Sequence, residues 1–60
     1  MDLDKAFAFA NQVTDVYERH DVVGRLLWNV QERDKAETYV NQAKLLEADQ
    51  ASLLARFRSR

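Results

Sequence analysis

Seam residues follow one another through the first half of the chain at alternating steps of three and four: Ala6, Phe9, Val13, Val16, His20, Val23, Leu27 and Val30. This is the heptad spacing of an amphipathic helix, with His20 as its polar member. Adding Leu3, Ala10, Tyr17 and Trp28 widens the apolar arc to roughly 180°, well beyond the stripe of about 100° that a surface helix needs. The opposite face is polar, with Asp4, Asn11, Asp15, Glu18, Arg25, Asn29, Glu32 and Arg33. A second seam runs through Ala36, Tyr39, Ala43, Leu46, Gln50, Leu53 and Phe57, out of phase with the first. Between them the polar run Gln31-Glu32-Arg33-Asp34-Lys35 marks a turn, and Asp34 with Glu37 has the N-cap and N3 spacing of a capping box. The pattern predicts one all-α domain over residues 1–60: a helix over 3–30, a turn at 31–34 and a helix over 35–58.

Composition agrees with helix. Proline is absent and glycine occurs once, at Gly24, while no stretch shows the period-two alternation of a strand. His20-Asp21-Val22-Val23-Gly24 supports a competing break, which would give a monomeric three-helix bundle with helices near 3–19, 22–32 and 35–58. The seam keeps its phase across that segment, which favours the unbroken helix.

Two long helices alone cover each apolar face on one side only. An antiparallel hairpin of this kind is therefore expected to dimerise into a four-helix bundle, with Phe9, Val13, Val16, Tyr17, His20, Val23, Leu27, Trp28, Leu46, Leu53 and Phe57 at the interface. Sixty residues also form a thin core by themselves. With no cysteine and one histidine, disulfides and a His/Cys zinc site are excluded as supports, which leaves association. No cofactor is expected.

The net charge of −1 offers no global attraction for nucleic acid. The opening Met1-Asp2-Leu3-Asp4-Lys5 is acidic and precedes no long apolar run, so neither a signal peptide nor a membrane span is expected, and the simplest location is the cytoplasm. Enzymatic activity is not expected: no nucleophile stands with a base, there is no glycine-rich phosphate loop, and the carboxylates are spread over polar faces. Binding is the remaining class. Phe7, Tyr17 and Trp28 lie along one margin of the first arc, where aromatic side chains serve either core packing or a partner. Leu26 and Leu45 fall outside both stripes as exposed leucines or part of a patch. His20, if buried and neutral within a bundle, would make assembly sensitive to mild acid, and Gln50 has the position of a register-setting polar residue. Three arginines, Arg56, Arg58 and Arg60, crowd the end of the second helix, where cations complement the helix dipole or contact phosphate beside Phe57.

The two seams, the length and the ending Leu54-Ala55-Arg56-Phe57 together resemble the Rop family of plasmid RNA-binding hairpins. That resemblance implies a dimeric four-helix bundle and, on the exposed face of the first helix, a surface for paired RNA loops. Asn11 matches an asparagine of that surface. Asp15 stands where the family has an RNA-contacting phenylalanine and Leu26 where it has a lysine, so the resemblance bears on fold more than on RNA binding. A protein-binding regulator, adaptor or chaperone-like subunit is the leading expectation. A Rop-like RNA binder using Asn11, Arg56, Arg58 and Arg60 is the alternative.

Overall fold

In the computed structural model, which describes residues 2–59, the chain is all-helical but divided into four short helices. They are α1 (Leu3–Ala10), α2 (Val16–Leu26), α3 (Arg33–Gln42) and α4 (Glu47–Arg58), and a single 3₁₀ turn, Leu27–Asn29, extends α2. No strand occurs among the described residues. The extents are 28 × 27 × 15 Å. A helix running from 3 to 30 would be about 40 Å long at 1.5 Å per residue, longer than any dimension of the molecule.

The predicted 3–30 helix is thus corrected: it stops at Ala10 and restarts at Val16. The local cause is Asp15, whose carboxylate accepts from the Tyr17 and Glu18 amides at 2.8 and 3.2 Å and so caps a new helix. Asn11, Val13 and Thr14 before it are weak helix formers. The predicted 35–58 helix is corrected in the same way, ending at Gln42 and restarting at Glu47. There Lys44 takes a left-handed backbone, φ 54°, past the α3 end, a conformation that terminates helices and that glycine adopts more cheaply. The three-helix alternative also placed its break elsewhere, since His20–Gly24 lies inside α2. Gly24 serves packing instead: a Cβ there would stand 3.3 Å from a Leu53 methyl of α4. The expected capping box at Asp34 is not used. Glu32 is the N-cap of α3, Asp34 sits in its first turn, and Glu37 pairs with Arg58 at 3.6 Å.

The four helices form two successive pairs, α1 on α2 and α3 on α4. Both pairs contribute to a single core. Phe7, Ala10, Val23, Leu27, Val30, Ala36, Val40, Ala43, Leu45 and Leu53 form the core. Phe7 is therefore a central core residue, stacked on Tyr39 with ring centroids 4.0 Å apart and planes 6° from parallel. Leu45, expected outside, is buried because the break at 43–46 frees its backbone from the helical phase.

One side chain joins the two interhelical turns. The Arg19 guanidinium donates through Nε to the Ala43 carbonyl at 2.6 Å and through Nη2 to Lys44 at 2.9 Å. Through Nη1 it donates to the carbonyls of Val13 at 2.6 Å and Thr14 at 3.4 Å. The carbonyls past a helix end lack intrahelical partners, and the planar fork of arginine can satisfy several at once. Both turns therefore meet at one end of the molecule. Since α2 and α4 each begin at these turns, both run away from the clamp.

Candidate functional site

Where α2 and α4 finish, their last turns leave an open groove of about 480 Å³ lined by Gly24, Leu27, Trp28, Leu53, Arg56, Phe57 and Ser59. Tightening of the last α2 turn into 3₁₀ geometry sets its upper wall. Leu27 turns inward and is buried, while the adjacent Trp28 turns outward and stays 74% exposed. The Val30 amide closes that turn on the Leu27 carbonyl at 3.0 Å, and Val30 then leaves in extended conformation. Leu53 and half-buried Phe57, one helical turn apart on α4, form the floor. Gly24 keeps the floor reachable, because any side chain at that position would project against Leu53.

Charge is segregated around this groove. Residues 22–31 and 51–59 contain Arg25, Arg56 and Arg58 and no carboxylate, although the chain as a whole is slightly acidic. All three arginines lie in the last turns of their helices, where they offset the partial negative charge of the carboxyl ends. Arg58 is drawn toward Glu37, which leaves Arg56 as the cation on the groove wall.

A polar cleft, lined by Asp4, Asp34, Lys35, Thr38, Tyr39 and Gln42, separates α1 from α3. The Tyr39 hydroxyl donates to the Asp4 carboxylate there. That hydrogen bond, with burial and the charge of Asp4 adding to it, raises the Tyr39 pKa above the usual 10.0.

The residues expected to form one continuous interface are divided. Val23, Leu27 and Leu53 are core; Trp28 and Phe57 border the groove; Val13, Val16 and His20 are half-buried. Phe9, Tyr17 and Leu46 are exposed and lie within five residues of the clamped turns, at the other end of α2 and α4. His20 is not enclosed in a seam: its ring is partly exposed with Nδ1 3.6 Å from the Asp21 carboxylate. Gln50 is half-buried on α4, and Leu26 packs partly against the core. Asn11, the C-cap of α1, is a helix length from Arg56 and Arg58, so these nucleic-acid candidates share no surface. Arg60 lies outside the described residues. The single helix that would align Asn11, Asp15 and Leu26 is divided: Asn11 is the C-cap of α1, Asp15 the N-cap of α2 and Leu26 the last residue of α2.

Arg19 is the structurally decisive residue that periodicity passed over. Its signal was an arginine set between Val16 and Val23, on the margin of the apolar stripe. No helix among the described residues is long and apolar enough to cross a membrane, and no group of three or more His, Cys, Asp or Glu residues there could hold a metal ion. No family model, curated protein or solved structure matches the chain.

Proposed function

We propose that the protein is a small interaction module whose groove between the last turns of α2 and α4 takes an acidic, amphipathic helix of a partner protein. The observation that carries this reading is Trp28, exposed on the lip of an apolar groove with Arg56 on its wall. Tryptophan and arginine dominate binding hot spots, and an apolar floor one helical turn long, from Leu53 to Phe57, suits a pair of anchors at i and i+3 or i+4 of a docked helix. The partner's acidic flank is argued from charge complementarity with Arg56 on the groove wall and Arg25 in the last turn of α2. Nucleic acid fits less well. The lining is almost wholly apolar and, among the described residues, offers a single cation, Arg56, for phosphate contact.

Trp28 is the single tryptophan, so its fluorescence reports on the groove directly. Titration with acidic amphipathic helical peptides is expected to give a saturable blue shift that Trp28→Ala removes as binding measured by calorimetry. Basic peptides of the same apolar pattern are expected to bind at least about tenfold more weakly. Saturable binding of single-stranded RNA or DNA at Trp28, with none of the peptides, would transfer the groove to the nucleic-acid reading.

A further inference from the structure

The second half of the chain repeats the first at a spacing of thirty residues. Asp4-Lys5-Ala6, Phe9 and Asn11-Gln12 recur as Asp34-Lys35-Ala36, Tyr39 and Asn41-Gln42. Burial repeats with the same offset beyond this motif. Ala10 and Val40 are both buried, as are Val23 and Leu53, while the exposed positions 8, 11, 12, 14, 17, 18, 21, 25 and 28 correspond to exposed positions thirty residues on. A helical pair of this size cannot enclose its own apolar face, so repeated pairs are stable only when stacked.

The two halves also meet at equivalent positions. Arg19 bonds the carbonyls of Val13 and Ala43 and those of Thr14 and Lys44, which are two pairs related by the offset. At the other end of the same helices, the groove has Leu27 on one side and its counterpart Phe57 on the other. We infer that the chain is a duplicated thirty-residue helical pair folded about an approximate two-fold axis, with Arg19 as the single positioning residue on that axis and the groove lying across its far end.

This inference explains one difference between the halves. Two guanidinium groups cannot occupy one axial site, and like charges in contact repel. The position equivalent to Arg19 is Asp49, half-buried on α4 and without an ion pair among the described residues. The inference is independent of what the groove binds.

The test moves the arginine between halves in the full chain. Arg19→Ala is expected to lower the melting temperature by roughly 10 °C or more in a domain of this size. Adding Asp49→Arg is expected to recover at least about half of that loss, because an arginine at the equivalent position reaches the same carbonyls. Gln50→Arg in the Arg19→Ala background serves as the neighbouring control and is expected to recover nothing. Asp49→Arg alone is expected to give no gain, the axial site being filled. The amide resonances of Thr14, Asp15, Lys44 and Leu45, which follow the four bonded carbonyls, are expected to return toward their original shifts only in the Arg19→Ala, Asp49→Arg protein. Absence of recovery in that protein, or equal recovery by Gln50→Arg, overturns the two-fold arrangement. Should Arg19→Ala fail to fold, a folded Arg19→Ala, Asp49→Arg protein supports it and an unfolded one refutes it.

Discussion

The two ends of the α2 and α4 helices solve opposite problems. At the clamped end, the backbone leaves helical geometry twice, and the carbonyls so exposed converge on one guanidinium. At the groove end, α4 keeps helical hydrogen bonds almost to its last residue, with the Ser59 amide reaching Ala55 and Arg56, and Trp28 stays exposed beside half-buried Phe57. Polar convergence specifies one arrangement, because a buried carbonyl without its donor costs more than a misplaced methyl group. An apolar groove has no such demand until a partner supplies it. The comparison predicts that substitutions at the clamp change stability first and that those at the groove change binding first.

The largest stability effect is expected from Arg19→Ala. Losing charge-assisted hydrogen bonds to four carbonyls, those of Val13 and Ala43 being part-buried, should cost about 2–3 kcal/mol, read from chemical denaturation. A loss under about 0.5 kcal/mol would break the contrast between the ends. At the groove, Trp28→Ala should weaken peptide binding by about 2 kcal/mol, roughly thirtyfold, while moving folding stability by less than about 1 kcal/mol. Isothermal titration and thermal melting separate the two quantities, and a stability loss larger than the binding loss would make Trp28 a core residue.

Lys44→Gly sharpens the same contrast from the other side. Relieving a left-handed lysine, φ 54°, should stabilise the fold by about 1 kcal/mol, because the Arg19 contact is to the Lys44 carbonyl and survives the substitution. Unchanged or lower stability would mean that the lysine side chain itself supports the turn. The smallest effect concerns Tyr39. Its pKa is raised in the folded protein by the hydrogen bond to Asp4, so the folded state holds the proton more tightly than the unfolded state. The associated stability is present below pH 10.0 and is lost as pH rises through the folded value. Tyr39→Phe should flatten that decline in melts collected from pH 9 upward, and an identical decline in both proteins would assign it to other groups.

The helical class was legible in composition and in periodicity, and so was the turn near residues 31–34, which the structure places at Val30–Glu32. Legible too, though masked by the heptad seam, was the break before α2. Asp15 and Glu18 have the same spacing as Asp34 and Glu37, and the cap is used at the first site rather than the second. A seam tolerates such a turn without losing its step pattern, so periodicity could not register it. The groove was half legible: Trp28 and Phe57 stood out as aromatics, but their meeting required α2 and α4 to run side by side from one end.

Sequence alone determined that this chain is helical and that its two halves share a repeated motif, since these follow from residue types and spacing. Tertiary structure alone decided the break between α3 and α4. The 43–46 turn contains neither glycine nor proline, and its strained Lys44 backbone and buried Leu45 occur alongside an arginine that is 24 residues away in sequence from Ala43 and bonds its carbonyl. Local propensities differ by fractions of a kcal/mol per residue, and one guanidinium satisfying carbonyls of two distant turns outweighs them.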